Sequence, residues 1–182
     1  MLLFDIENMS VWEALQNTKE PIIMYGTGNG ADKVFEVFRE LGIEVAGVTA
    51  SNGFVRERFF HGFRVTPISK FLEKYEKFII LVAFGSSLPD VMARLWEMSE
   101  NYELYAPDVP VCADALFNYE FFRAHKDEIN EAYSLLSDEE SRRIYENVIL
   151  YKLSGRIDYL FAAESSKDES FSLLGAKDFS SA

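Results

Sequence analysis

The feature that most constrains the fold is a glycine-rich turn that follows a short apolar run. Residues 22–31 read IIMYGTGNGA, so four apolar residues end in three glycines within five positions. This order is typical of a buried strand that enters a tight turn. Residues 31–41 then carry apolar side chains at helical spacing and stop at Gly42, and a second apolar run follows at 45–49. Strand, helix and strand within about thirty residues predict a βαβ unit.

Predicted strands and helices alternate in the same way over most of the first 118 residues. The pattern predicts further helices over 8–19, 68–75 and 89–98, and further strands over 64–66, 78–84 and 103–106. The run FIILVAF at 78–84 contains no polar residue, which is typical of a strand buried on both faces of a parallel sheet. Because right-handed crossovers place helices on both faces of such a sheet, we predict an α/β fold with a doubly wound, mostly parallel, Rossmann-like sheet.

The pattern changes after residue 118. Residues 119–163 show helical periodicity without a strand signal, and the run SDEE at 137–140 predicts a capping box with Ser137 at the N-cap. Residues 164–172 (ESSKDESFS) are polar. We therefore predict a Rossmann-like, nucleotide-binding-type domain over 1–118, a C-terminal helical extension over 119–163 packed on it, and a linker or truncated start of a following domain over 164–182.

Charge and cysteine content argue against several classes of protein. The formal net charge is −12, from 18 basic and 30 acidic residues, so we expect no basic surface for nucleic acid or for an anionic membrane. A single phosphate can still be held by backbone amides and one Arg. One cysteine, Cys112, excludes an intrachain disulfide, and no apolar run reaches the roughly 20 residues that span a bilayer. We therefore expect a cytoplasmic protein that binds neither nucleic acid nor a membrane.

The glycine turn fits the dinucleotide-binding pattern G-x-G-x-x-[G/A]. In this pattern Gly26 allows the tight turn, Gly28 lets the backbone approach a diphosphate, and Ala31 permits close packing of the helix. The start of the helix would also present unpaired amides to an anion. The alternative is a glycine turn that serves only the backbone geometry beside an empty crevice.

The candidate ligand-binding residues follow three predicted strands. They are Gly26, Thr27, Gly28, Asn29 and Gly30 after the first strand, Ser51 and Asn52 after the second, and Gly85, Ser86 and Ser87 after the strand at 78–84. In an open sheet the ligand lies where the strand order reverses, between the first strand and the fourth. The acidic residue expected to hold a ribose diol is absent, since Ser51 and Asn52 stand there, and this weakens the prediction.

No catalytic residue or metal ligand is predicted. His61 and His125 lie far apart and outside any cluster of metal-binding type, so both are interpreted as structural. Ser86 and Ser87 lack the G-x-S-x-G nucleophile motif. Three arginines, Arg56, Arg58 and Arg64, flank the loop after the second strand and are interpreted mainly as a solvated face.

Several segments together resemble the N-terminal region of bacterial FkbM-type methyltransferases, over about residues 20–163. They are 23–31, 48–52, 61–65 and 78–84, then YAPDVP at 105–110, LSDEESR at 136–142 and YKLSG at 151–155. The resemblance implies a Rossmann-like domain that precedes a second, S-adenosylmethionine-binding domain, which methylates a sugar hydroxyl. Where the family often has Asp after the second strand, this chain has Asn52.

The opening motif of that second domain, an acidic residue followed by G-x-x-x-G, does not occur after Leu174. We therefore expect no S-adenosylmethionine binding by these residues, a methyltransferase domain downstream in a longer protein, and an accessory domain that binds a nucleotide, a nucleotide-sugar or NAD(P). Two alternatives stay open. One is a non-catalytic interaction or dimerisation module, and the other is an NAD(P)-linked oxidoreductase domain, which the lack of a Tyr-x-x-x-Lys proton donor disfavours.

Overall fold

A computed structural model describes residues 9–51, 59–110 and 115–164. Within these ranges the strands are β1 (Ile22–Tyr25), β2 (Gly47–Thr49), β3 (Phe59–Phe60), β4 (Phe63–Arg64), β5 (Ile79–Val82) and β6 (Glu103–Tyr105). The helices are α1 (Val11–Asn17), α2 (Asn29–Leu41), α3 (Ile68–Lys74), α4 (Pro89–Asn101), α5 (Tyr119–Ala124), α6 (Lys126–Ser134), α7 (Glu139–Ser154) and α8 (Ile157–Ala162). The predicted α/β class is confirmed, because four parallel strands form a sheet that has helices on both faces.

The strand order of this sheet is β2-β1-β5-β6, and every pair is parallel. Met24 in β1 lies between Val48 in β2 and Leu81 in β5. The chain therefore runs outward from β1 to β2 and then crosses back to the other side of β1 to form β5. The strand order reverses between β1 and β5, as the sequence pattern predicts.

The strand predicted at 64–66 is shorter than expected. Val65 forms a single parallel bridge with Val48, and the Thr66 amide donates to the Val48 carbonyl at 3.0 Å. Before this bridge, β3 and β4 form an antiparallel hairpin that the sequence pattern did not predict. His61 (φ +47°) and Gly62 (φ +84°) both lie in the left-handed region, as a two-residue type I′ turn requires.

The two faces of the sheet bury two apolar clusters because successive strand residues point to opposite sides. One face packs Ile22, Met24, Val48 and Leu81 against α1 and α2, with Trp12, Leu15, Val34 and Phe38. The other face packs Ile23, Tyr25, Ile80, Val82 and Leu104 against α3, α4 and α8, with Phe71, Leu95 and Ile157. Each fully buried Leu, Ile or Phe contributes about 1.5–3 kcal/mol, so both faces stabilise the fold.

The helical extension has its own apolar cluster and also contacts the sheet domain. Phe122, Ile129, Ile149, Leu150 and Leu153 are buried in it. The Ala106 amide donates to the Gly155 carbonyl at 2.7 Å, and Lys152 Nζ lies 2.5 Å from Asp108 Oδ2. These contacts join α7 and the turn after it to the loop after β6. The proposed domain limits stay a prediction, and 165–182 lie outside the described residues.

The N-cap of α7 is Asp138, and the prediction of Ser137 was wrong. Asp138 Oδ1 accepts from the Ser141 amide at 2.8 Å, so the helix begins one residue later than the capping-box pattern indicated. The Arg142 guanidinium also donates to the Leu136 carbonyl at 3.0 Å, which fixes the preceding turn. Either residue type caps a helix, and the local fold selects between them.

Candidate functional site

A crevice of about 300 Å³ opens at the carboxyl ends of β1, β2 and β5. It is lined by Tyr25, Gly26, Thr27, Ala50, Ser51, Phe84, Gly85, Ser86, Val91 and Arg94. Two larger hollows, of about 420 and 520 Å³, lie at the opposite edge of the sheet, where the strands begin. Open α/β sheets bind ligands outside the carboxyl ends of their strands at the point of reversal, so the smaller crevice is the candidate site.

The glycine turn borders this crevice, and two of its three glycines have a structural role. Gly26 has φ +132°, a conformation that side chains disfavour, and its amide donates to the Thr49 carbonyl at 3.0 Å. Gly30 lies in the first turn of α2, where an added Cβ would approach the Ala83 carbonyl oxygen to 2.5 Å. The turn and the close approach of α2 to the end of β5 therefore require these two residues.

Gly28 differs from both of these glycines. It is the N-cap of α2 with φ −109°, a conformation open to any residue, and an added Cβ would meet no described atom within 4 Å. Neither backbone strain nor packing accounts for a glycine at this position. The absence of a side chain leaves open the space over the start of α2, where helix amides have no intrahelical partner.

Polar groups from three elements meet in the crevice. Tyr25 Oη and Ser51 Oγ share a hydrogen bond of 2.8 Å, which connects the ends of β1 and β2. The Arg94 guanidinium reaches from α4 and donates to Ser51 Oγ at 3.3 Å. The Tyr25 ring, almost fully buried, also packs edge-on against Phe84 with 5.1 Å between ring centres. Through these hydrogen bonds and this ring contact, Tyr25 connects the end of β1 to the residues that follow β2 and β5.

The sequence pattern did not identify Arg94 as a site residue. It is the one charged side chain among the described residues that line the crevice. No described carboxylate lines it, in a chain that carries 30 acidic residues. Together with the positive end of the α2 dipole, this composition favours an anion at the crevice. The only sequence signal was the spacing of Arg94 three residues after Val91, which places both on one side of α4.

The structure brings about half of the predicted site residues into the crevice lining. Gly26, Thr27, Ser51, Gly85 and Ser86 line it, Gly28, Asn29 and Gly30 form the start of α2, and Ser87 lies in the loop before α4. Ser86 Oγ accepts from the Leu88 amide at 3.2 Å and so helps to shape that loop. Asn52 lies outside the described residues. Ligand binding by any of these residues stays a prediction.

The histidines predicted as structural make contacts of that kind. His61 Nε2 lies 2.7 Å from Asp32 Oδ1, and its ring stacks on Phe35 with 4.3 Å between centres. These contacts attach the β3–β4 turn to α2. His125 lies near Glu128 on α6. In the part of the chain that the structure covers, no group of three His, Cys, Asp or Glu side chains is arranged for a metal ion.

Of the remaining sequence candidates, only Arg64 is described, and it does not line the crevice. Arg64 is exposed in β4, whereas Arg56, Arg58 and Cys112 fall outside the described residues. Among the helices described, none combines the length and apolar character needed to cross a membrane.

Comparison with known proteins gives few matches. No protein-family model matches the chain, and no curated protein matches it. A solved mutant of perosamine N-acetyltransferase from Caulobacter crescentus, in complex with CoA and GDP-perosamine, is 18% identical with a TM-score of 0.38. RSP, a Rex-family repressor, is 15% identical with a TM-score of 0.36. The matches cover 50% and 64% of this chain and 43% and 64% of those chains, and they are too distant to support a function.

Proposed function

We propose that this chain binds a nucleotide-type ligand, namely a nucleotide, a nucleotide-sugar or NAD(P), in the crevice at the ends of β1, β2 and β5. The observation that carries the proposal is Gly28. Packing and backbone geometry require the other two glycines of the turn. At the N-cap of α2 the described surroundings also allow Ser, Asn or Asp, which cap a helix at least as well, so neither packing nor capping requires a glycine there. A ligand that must approach the backbone there does explain it.

In the proposed complex a diphosphate lies over Gly28 and Asn29. Its charge is balanced by the amides at the start of α2, a helix of 13 residues that carries about half a positive charge at this end. Ser86 approaches from the β5 side, since it lines the same crevice. The sugar and base then extend into the part lined by Phe84 and Tyr25.

The test is the substitution Gly28→Val. Residue 28 has negative φ, and no described atom lies within 4 Å of an added Cβ, so we expect Val to fit the fold but to place methyl groups where the phosphate must come. UDP-sugars, NAD(H) and CoA are screened by thermal shift, and those that bind are measured by calorimetry. We expect at least one to stabilise the parent, and the Gly28→Val substitution to weaken it at least about tenfold, or about 1.4 kcal/mol.

Leu88→Val is the matched control. Leu88 is the N-cap of α4, also a helix of 13 residues, and is exposed and outside the crevice lining. The control places the same side chain at the same capping position and is expected to leave affinity unchanged. If no compound of the panel raises the parent melting temperature at millimolar concentration, the crevice is empty and the interaction-module alternative replaces this proposal. Equal loss in both variants would place the ligand elsewhere.

The finer proposal is that the chain serves as the accessory N-terminal domain of an FkbM-like, S-adenosylmethionine-dependent methyltransferase. The motifs from residue 23 to residue 155 support it. The complete natural gene tests it, because an FkbM-type methyltransferase domain is expected to be encoded after codon 182. A natural stop codon at that point would refute the accessory role and leave the crevice proposal intact.

A further inference from the structure

The Arg94 side chain lies at the end of the second strand, and the proposed role of the glycine turn gives it no function there. It extends from α4, the helix after β5, past the end of β1 to Ser51, which follows β2. At this end of the second strand, Rossmann-like sheets that bind NAD place an acidic residue against the ribose diol. The described part of this site has the opposite charge, with a guanidinium and two hydroxyls, of Ser51 and Tyr25.

The bonding of Arg94 leaves most of its capacity for an anion. Its one acceptor within the described chain is a neutral hydroxyl at 3.3 Å, beyond the usual 2.7–3.2 Å of an N–H···O hydrogen bond. No described carboxylate forms an ion pair with it. A guanidinium has five N–H donors in a planar fork that matches two oxygens of one phosphate, and such charge-assisted bonds are shorter and stronger than those to a hydroxyl.

We propose that Arg94 binds a phosphate monoester on the ligand's ribose, at the end of β2. This inference rests on the proposed binding of a nucleotide-type ligand in the same crevice. It narrows the ligand class to nucleotides that carry a ribose phosphate in addition to the diphosphate. The Ser51 hydroxyl, held by Tyr25, then donates to the same phosphate instead of accepting from Arg94. The two anionic groups have separate anchors, the start of α2 for the diphosphate and Arg94 for the monoester.

Two pairs of compounds that differ by one phosphate test this inference, NADP⁺ against NAD⁺ and CoA against 3′-dephospho-CoA. Affinities are measured by calorimetry at fixed ionic strength. For at least one pair we expect the phosphorylated compound to bind at least about tenfold more tightly to the parent. Arg94→Gln is expected to remove this preference while changing the affinity for the unphosphorylated compound less than about twofold. Arg94→Lys keeps the charge but loses the fork and is expected to be intermediate.

Arg39→Gln is the matched control, because it removes the same charge from the exposed last turn of α2, away from the crevice. It is expected to keep the preference for the phosphorylated compound. The melting temperature of each unliganded variant shows whether the fold is intact, and little change is expected because Arg94 is exposed.

The results separate the two proposals. Equal binding of both members of each pair, or a preference that survives Arg94→Gln, overturns the role of Arg94 and leaves nucleotide binding intact. The same conclusion follows if only UDP-sugars bind, because they carry no ribose monoester. If neither these four compounds nor the UDP-sugars bind, both proposals are overturned.

Discussion

Adding one methyl group at Gly30 tests how tightly α2 is packed against the end of β5. An ideal Cβ at this position lies 2.5 Å from the Ala83 carbonyl oxygen and 3.2 Å from the Ala83 carbonyl carbon. Carbon and oxygen in contact need roughly 3.0–3.4 Å, so the first turn of α2 or the Ala83 backbone must move by roughly 0.5–0.9 Å. Ala83 directly follows β5 and its amide donates to the Tyr25 carbonyl, and a backbone carbonyl has no rotamer by which to move aside.

The expected loss for Gly30→Ala is about 2 kcal/mol of unfolding free energy. Overpacking of this kind costs typically 1–3 kcal/mol, and contact with a fixed backbone atom favours the upper end. Replacing Gly by Ala inside a helix restores about 1 kcal/mol through helix propensity. In a chain of 182 residues, 1 kcal/mol corresponds to about 2–4 °C, so we expect the melting temperature to fall by about 4–8 °C.

Urea unfolding of Gly30→Ala beside Gly28→Ala measures this loss. At Gly28 the new methyl group meets no described atom within 4 Å, so only the poorer capping by Ala and the lower entropy of the unfolded chain change. These two effects oppose each other, and we expect the stability to stay within about 0.5 kcal/mol of the parent. Equal midpoints for the two variants would refute the close packing and would return Gly30 to the list of ligand-contacting candidates.

Two further predictions concern pH and the cofactor. Burial, and then the charge of Asp108, raises the pKa of Tyr151, so the folded state favours the neutral phenol. The contribution of Tyr151 to the free energy of unfolding should be fully present below about pH 10 and be lost as the pH rises through the raised pKa. In urea unfolding between pH 8 and 11, Tyr151→Phe should therefore show a flatter loss of stability with pH than the parent. Equal slopes of stability against pH for the two proteins would contradict the prediction. Calorimetry of the 182 residues with S-adenosylmethionine should show no saturable heat, and binding tighter than about 100 μM, or about −5.5 kcal/mol, would refute the placement of that site downstream.

Local patterns predicted the central part of the fold, because apolar periodicity and turn residues act over a few neighbours. The strand β1, the helix α2 and the stop at Gly42 all agree with the pattern, and Gly42 has the expected left-handed conformation. The hairpin of β3 and β4 was missed because strands of two residues have no period to detect. Its turn at His61 gave little signal, since a non-glycine residue there rarely has positive φ.

Part of the candidate site could also be predicted from local patterns. Residues that follow predicted strands could be grouped at one edge, because parallel strands end on the same side. Arg94 could not be found in this way, since it lies inside α4 and resembles any exposed helical cation in sequence. Its relation to Ser51 depends on how the crossover after β5 packs beside β1, and 43 residues separate the two along the chain. Only the folded arrangement brings them together.

The two interpretations of the glycine turn differ in the charge that they require at the crevice. A turn that serves only the backbone needs Gly26 and Gly30, and it is indifferent to the side chains around the cavity. A site for a phosphorylated ligand needs space at Gly28 and a cationic group at the crevice. Among the described residues no atom lies within 4 Å of a Cβ at Gly28, and Arg94 is the one charged side chain of the lining, in a chain whose net charge is −12. Because Arg94 and the start of α2 belong to different helices, their convergence is not explained by the packing of either one. Binding through these anchors should weaken with added salt, whereas an apolar interaction surface should be largely insensitive to it.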